Sequence, residues 1–497
     1  MSHYFALNIG PIISTFALAR KAREFWQASY LFSHLMKCLL YEFEKNKTFK
    51  LLSPQIPPAK TNGAGVYPDR AFFKSNSKVD KDIIQPLINK AVLNFEKDTK
   101  LDKTIVRDYF NIMTVSGEYA TDGQAIEQLN KNLNYLELSV HATLPGTVNE
   151  MVKYLRNKDD SPLFWLAFGS LSFPNQERLD LEELAQYRWK KFHDPRKSHH
   201  NYVCIVQADG DKVGTVIQSL LDGKLPTFSE ALANFAQNAT QKIRQYGGLP
   251  VYSGGDDLLF IAPIWGGETE DKRQSIFDLL DDIDKEYETL IQKELPQLTK
   301  KEENSNSNNP KTSMSYGLSI TYHKYPLYET WETARELLFY QAKQYWKDEK
   351  NTIAWQYQKH SGAIHKTNIC KSHTEVYKAF KELLNITVPE NIVTAVAHKI
   401  YANEGLLSSF EQEQSDAYKN RLNAFFKHIV DIEGKDKQAI NYIEKVKELM
   451  IALHTVLHNK SVPSKENTNK IQINLLAETV YSMLRTAKFF NGEEEKL

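Results

Sequence analysis

The sequence predicts an α+β chain in which one strand–helix–strand–strand–helix–strand unit occurs twice. Short apolar runs of strand length alternate with longer segments of helical period. That alternation begins at Tyr4 and again at Tyr202. Between and after the two copies, only helical periodicity remains.

In the first copy, Tyr4–Ile9 reads as a buried strand closed by Gly10-Pro11. A single helix is expected over Ile12–Phe43, where Phe25, Phe32, Leu35, Met36 and Leu39 recur on one face. Arg20 and Arg23, three apart near its start, then share a face. Strands follow at Phe49–Leu52 and Arg70–Phe73, a helix at Asp80–Glu96 and a strand at Tyr109–Thr114. This is the ferredoxin-like order. Asp122 to Lys191 reads as helical, with Leu129, Leu133, Leu136 and Leu138 followed by Leu181, Leu184 and Trp189.

The second copy opens on the strand Tyr202–Ala208, which runs into Asp209-Gly210-Asp211. Helices are expected at Val213–Leu221 and Phe228–Tyr246, then two strands around Gly254-Gly255, and a long helix at Arg273–Glu294. The polar, Asn/Ser-rich stretch Lys300–Ser313 reads as a mobile loop. Strand Ser315–Tyr322, helix Tyr328–Tyr345 and strand Thr352–Tyr357 complete the order. From His373 the pattern is helical again. The expected domains are thus 1–120, a helical insert 121–200, 201–372, and a helical C-terminal domain 373–497. The two copies share no strong residue-level identity, so the repeat is architectural.

A length of 497 residues suits three or four domains. With 41% hydrophobic and 25% charged residues the chain is an ordinary globular one. Sixty-two basic residues balance 62 acidic ones, so no global basic excess marks a nucleic-acid binder. Cys38, Cys204 and Cys370 form no CxxC pair, which leaves neither a zinc-ribbon spacing nor a disulfide framework and fits a cytoplasmic location. No apolar run approaches the roughly 18 residues that span a bilayer, so no membrane association is expected.

The strongest chemical signal is Ser253-Gly254-Gly255-Asp256-Asp257. Paired glycines make a tight hairpin and admit a phosphate close to the backbone. Two adjacent carboxylates before the buried run Leu258–Ala262 are costly without a compensating cation. The alternative is an exposed acidic turn. Asp209, at the C-terminal edge of its strand, reads equally as a metal ligand or as a cap of the following helix. The ferredoxin-like order sets that strand beside the hairpin, so Asp209 and Asp257 are expected to converge on one or two Mg²⁺ ions. Lys343, near the end of its helix, reads on its own as a solvated lysine favourable to the helix dipole.

These stretches, YVCIVQADGDKVG, VYSGGDDLLFIAP and SMSYGLSITYHKYPLYETWETARELLFYQAK, resemble the polymerase/cyclase palm of the large subunit of type III CRISPR effector complexes, the Cas ten family. FALNIGPIISTFALARKAREFWQASYLFSHL, with VYPDRAF (Val66–Phe72), resembles the first palm of its type III-B branch, Cmr subunit two. The resemblance implies two palms, a helical insert and a helical C-terminal domain. It implies a nucleotidyltransferase that, when guide RNA pairs with target RNA, converts ATP with Mg²⁺ or Mn²⁺ into a second messenger and releases pyrophosphate. Cyclic oligoadenylate and a conjugate of AMP with S-adenosylmethionine both remain open as products. Implied partners are the other Cmr-type subunits, CRISPR RNA and target RNA.

By the same analogy Asp209, Asp256 and Asp257 bind catalytic metal, while Gly210 and Asp211 lie beside the nucleotide. Gly254 and Gly255 line the phosphate path, Ser253 approaches the nucleotide, and Lys343 holds a triphosphate, which reverses the bare reading. Gly10, Ser14, Arg20 and Arg23 present the first palm's face to a shared nucleotide pocket. The palm's start at residue 4 implies a form without the HD nuclease domain of many relatives, and the zinc-binding cysteines of many relatives are missing. His193-Asp194 lies in the polar connector RWKKFHDPRKSHH and reads as linker. The histidine-rich loop His193, His199 and His200 reads as a metal site or, as adjacent histidines more often are, as solvated. The connector's basic residues, Arg188 among them, read equally as an RNA contact or as a solvated surface. Two further readings stand beside this one: a stand-alone diguanylate-type cyclase, and a non-catalytic scaffold subunit of the complex.

Overall fold

The computed structural model describes residues 1–55, 63–138, 145–157, 161–169, 180–299, 311–386, 388–411, 413–430, 437–460 and 475–492. Most of the predicted loop Lys300–Ser313 lies outside them. Two compact units emerge: Met1–Tyr187 with Ile205–Met314 and Lys324–Glu332, and Arg188–Cys204 with Ser315–His323 and Thr333–Leu497.

In the first unit, β1 (Ser2–Gly10), β2 (Phe49–Ser53), β3 (Arg70–Ser75) and β4 (Asn111–Tyr119) form one sheet in the order β2-β3-β1-β4. Every pairing is antiparallel. This is the expected ferredoxin-like topology. Alternation drives it: β1 buries the run Tyr4–Ile9, and its Phe5 meets Phe43, Phe49 and Phe73 at ring-centroid distances of 5.3, 5.7 and 5.6 Å. Arg70 of β3 bonds Asn130, Asn134 and Glu137 of α4 (Asp122–Leu138) at 2.7–3.0 Å, which fixes that helix against the sheet.

The expected single helix over Ile12–Phe43 is two, α1 (Ile12–Phe16) and α2 (Ala22–Glu44). Lys21 is extended, and the Glu24 carboxylate takes the Arg20 N–H at 2.8 Å, starting a new helix. Apolar spacing continues through this break, so periodicity does not register it. Arg20 therefore precedes the helix and does not share a face with Arg23. After α3 (Lys81–Thr99), capped by Asp80, the helical stretch that includes Pro162–Phe168 lays Phe164 on Trp26 of α2 at 5.3 Å.

The second copy repeats the element order along the chain. It runs β5 (Tyr202–Gly210), α5 (Val213–Ser219), α6 (Leu225–Tyr246), β6 (Leu249–Gly254), β7 (Asp257–Pro263), α7 (Ile276–Tyr287) and β8 (Met314–Tyr322). Within the first unit the strands are adjacent in the order β5-β7-β6. The two copies meet inside this unit. Ser229 of α6 accepts from the Gln55 N–H and bonds the Ser53 hydroxyl at 3.1 Å. Gly65 bridges Tyr252 of β6, with Ser253 N donating to Gly65 O at 2.8 Å.

The second unit carries β8 from Ser315, in parallel register with β9 (Thr352–Gln358), and then β10 (Ile364–Cys370), antiparallel to β9. Strand β10 falls in a stretch with little apolar alternation and is absent from the sequence reading. Gly317 lets a helix touch β8: a Cβ there would lie 2.1 Å from the Ala334 carbonyl oxygen. Trp355 of β9 stacks on Phe380 of α9 (Thr374–Asn385) and donates to Thr486 of α11 (Leu475–Asn491) at 3.0 Å. The helix expected over Tyr328–Tyr345 is α8 (Leu327–Glu336), continued as a π-type stretch, Leu337–Ala342. The long helix α10 (Lys437–Lys460) joins α9 and α11 in the helical region. No described helix is long and apolar enough to cross a membrane.

The aromatic cluster around Phe5 gives the first test. Phe73 is buried, and Phe73→Ala removes a core ring at an expected cost of about 3–5 kcal/mol. Equilibrium urea unfolding of the variant is expected to show a lowered midpoint.

Candidate active site

The site lies on the β6–β7 hairpin of the first unit. Gly254 pairs with Asp257, leaving Gly255 and Asp256 as a two-residue turn. Gly255 has φ +76°, the positive angle that a type II′ turn requires at its first central residue and that glycine adopts without strain. Tyr252 folds its ring over Gly254, where a Cβ would lie 2.0 Å from the tyrosine oxygen. The turn thus lifts two consecutive carboxylates to the head of β7.

Strand β5 brings Asp209-Gly210 to the same place. A Cβ on Gly210 would sit 2.5 Å from Oδ2 and 2.8 Å from Cβ of Asp256. Asp256 therefore rests against bare backbone. Asp209 and the two hairpin aspartates are half-buried. Two residues before Asp209, on the same face of the strand, Gln207 donates Nε2–H to Asp257 Oδ1 at 2.7 Å. Trp331 Nε1–H donates to the other end of that amide at 3.3 Å. Trp331 in turn takes the edges of Phe16 and Phe25 at 5.2 and 5.6 Å.

Burial raises the pKa values of Asp256 and Asp257 above the usual carboxylate range. For Asp257 the charges of Asp256 and Asp69 add to the rise, and Gln207 opposes it. For Asp256 backbone N–H bonds oppose it, and the Asp211 charge adds to it. Tyr252 is held well above its ordinary value, by burial and then by the same acidic neighbours. Such a donor set of clustered hard carboxylate oxygens fits a divalent cation of the Mg²⁺ type.

The remaining predicted residues are placed less centrally. Ser253 is fully buried and donates to the Ala236 carbonyl of α6 at 2.9 Å, so its hydroxyl is engaged in the core. Asp211 is buried and holds Ser313: its Oδ2 accepts from the Ser313 hydroxyl and its N–H donates to Ser313 O, each at 2.7 Å. Gly10 ends β1 opposite Asn111, and Ser14 is exposed on α1. Arg23 bonds the Asn157 carbonyl and lies over Phe164 at 4.9 Å, and Arg20 is exposed. Lys343 belongs to the second unit, where burial and then the Lys350 charge lower its ammonium to about 8.

The connector also differs from its sequence reading. His199 and His200 are buried, and His200 Nδ1 accepts the Lys197 N–H at 2.9 Å. Arg188 is 2% exposed and paired with Asp194 at 2.7 Å, so it is neither solvated nor presented to a polyanion. Its partner is the aspartate of the His-Asp dipeptide.

The second palm domain of Cas10/Cmr2 matches residues 202–354, the stretch that holds the hairpin, and the N-terminal domain of the CRISPR-associated protein Cmr2 matches residues 4–109. Together these make up more than half of the sequence. The chain belongs to the Cas10/Cmr2 family. The CRISPR system Cmr subunit Cmr2 of Pyrococcus furiosus is 27% identical over 243 residues, a match spanning 41% of this chain and only 25% of that relative. A chain of a type III-B Cmr-beta complex, solved by cryo-EM in the apo state, aligns with a TM-score of 0.55 at 9% identity. That alignment covers 98% of this chain and 82% of the other, and shows a shared fold.

The raised carboxyl groups set a pH dependence. An acid whose folded-state pKa exceeds its unfolded one keeps its proton longer when folded. Stability therefore falls as pH rises from the ordinary carboxylate range through the raised value. Without divalent cation, Asp257→Asn is expected to melt a few degrees above the parent at neutral pH. The difference should shrink toward pH 4, as followed by calorimetry.

Proposed function

We propose that this chain is the large subunit of a type III-B CRISPR RNA-guided complex and the nucleotidyltransferase of that complex. In this reading it converts ATP into a nucleotide second messenger once target RNA has paired with the guide. The observation that carries it is the meeting of Asp209-Gly210 with Asp256-Asp257 on a palm of the Cas10/Cmr2 family. Consecutive aspartates held against a glycine strand end, with pKa values raised by burial and by acidic neighbours, make a cation-dependent site for a triphosphate.

Asp209, Asp256 and Asp257 would hold Mg²⁺ or Mn²⁺, which when bound lowers the pKa of an attacking oxygen and neutralises the pyrophosphate. The chain's own contribution is positioning. Gln207 fixes the plane of the Asp257 carboxylate, and Gly210 admits Asp256. Gly255 leaves backbone open to phosphate oxygens, while Gly254 makes room for the Tyr252 ring. An acceptor oxygen attacks the α-phosphorus of ATP, the bond to pyrophosphate breaks, and the acceptor's proton leaves to solvent. Lys343 is assigned to a triphosphate by the family resemblance rather than by geometry. The acceptor is a second ATP for an oligoadenylate, or S-adenosylmethionine for the conjugate.

The test uses the assembled complex with target RNA, labelled ATP and Mg²⁺, with and without S-adenosylmethionine, and product identification by mass. Pyrophosphate and an ATP-derived messenger are expected. The double variant Asp256→Asn, Asp257→Asn is expected to make none; undiminished product from it would overturn the assignment. Constitutive, GTP-selective synthesis by the isolated chain would point instead to a stand-alone cyclase. Gly210→Ala, which pushes Asp256 aside, is expected to lower turnover by about 10²-fold with little change in melting temperature. Unchanged turnover would remove Gly210 from the site.

A further inference from the structure

Outside the hairpin, one cluster in the second unit has the chemistry of a soft-to-borderline metal site. Cys370 closes β10 opposite Thr352. His373 follows three residues later, its N–H bonded to the Cys370 carbonyl at 3.0 Å. Glu349 sits on the turn before β9, its N–H bonded to Trp346 O at 3.0 Å. That turn is laced to the Cys370–His373 segment: Lys371 N donates to Asn351 O at 2.8 Å and Asn351 Nδ2 to the Ser372 hydroxyl at 3.2 Å.

The three side chains converge. His373 Nε2 is 2.6 Å from Glu349 Oε2, and Cys370 Sγ is 3.9 Å from the same oxygen. All three donor atoms lie within 4.8 Å of one another. Ligands of one tetrahedral zinc, at bond lengths near 2.0–2.3 Å, stand about 3.5 Å apart. The indole of Trp346 meets the His373 ring edge-on at 4.5 Å and is itself fixed by Asn368 at 2.7 Å, so the imidazole is oriented. Nearby ammonium groups turn elsewhere: Lys350 Nζ bonds the Lys343 carbonyl, and Lys371 Nζ lies over the Tyr316 ring at 4.5 Å. His373 also lines a cavity of ≈560 Å³ between α9 and α10, which gives solvent access.

We infer that Glu349, Cys370 and His373 form a three-ligand site for a divalent zinc-type ion, with a fourth position left for water. One thiolate, one imidazole and one carboxylate suit Zn²⁺ better than Mg²⁺. Binding releases to solvent the thiol proton that now faces the Lys350 carbonyl at 3.2 Å, and the His373–Glu349 contact opens to seat the ion. The second cluster, His34, Cys38 and Asp98, shares its cavity with Lys37 and Lys97, whose ammonium charges oppose a cation there. It serves as the internal control.

The experiment titrates the full chain, stripped of metal, with Co²⁺ and follows the thiolate-to-cobalt charge-transfer absorption. That band reports sulfur ligation only, so ions at the hairpin carboxylates do not contribute. One equivalent is expected to saturate it, and Zn²⁺ is expected to bleach it. Cys370→Ser should remove the band and Cys38→Ser should leave it. Glu349 is exposed, so Glu349→Gln keeps the fold and should weaken Co²⁺ by about tenfold or more, as should His373→Ala. Asp257→Asn should leave the band intact. The absence of a band at saturating Co²⁺, its loss in Cys38→Ser, or unchanged affinity in both Glu349→Gln and His373→Ala would overturn the site.

Discussion

Asp256 lies against the backbone of Gly210, which joins the two acidic segments directly. The contact needs three things at once. The hairpin must turn in two residues, which Gly255 allows at φ +76°. Strand β5 must end beside β7, which the sheet order provides. The residue after Asp209 must have no side chain. Given all three, carboxylates from two segments share one small space, and the raised proton affinities of Asp256 and Asp257 follow from lost hydration and acidic neighbours. The site is therefore destabilised by its own charges, a pattern typical of positions kept for chemistry rather than for folding.

Around that contact the neighbours are organised by hydrogen bonds. Gln207 accepts from Trp331 and donates to Asp257, so a neutral amide carries orientation from an aromatic core to a charged edge. Ser253 and Asp211, though adjacent to the acidic residues in sequence, are engaged with α6 and with Ser313. They hold the hairpin and the end of β5 in place. In this fold, proximity in sequence to the acidic motifs does not by itself put a side chain into the site.

Much of this was legible in the sequence, for identifiable reasons. Strands β1 and β5 are nearly continuous apolar runs bounded by turn residues, and the Gly-Gly-Asp-Asp turn names its own geometry. The boundary at Lys21 was not legible, because Glu24 takes the Arg20 N–H at the start of α2 without disturbing the apolar period. Strand β10 was missed because its middle, His365–Asn368, is wholly polar and turns His365 and Thr367 inward. Gln207 had a signal: it stands two residues before Asp209 on one strand face. Asp69 had none, since it comes from the first copy and nothing local in the sequence sets it beside Asp257. Arg188 and the histidine pair look solvated by composition but are buried by partners no local pattern reveals.

Trp331 packs on the touching rings of Phe16 and Phe25 and is tied to Gln207 through its nitrogen. Phe16 ends the first helix of the N-terminal copy, and Gln207 steadies Asp257 of the second. A single indole thus makes the two copies mechanically one object near the acidic edge. Sliding one against the other would break the bond that orients Asp257, so the duplicated architecture acts here as a splint, with the first copy bracing a site whose carboxylates belong to the second.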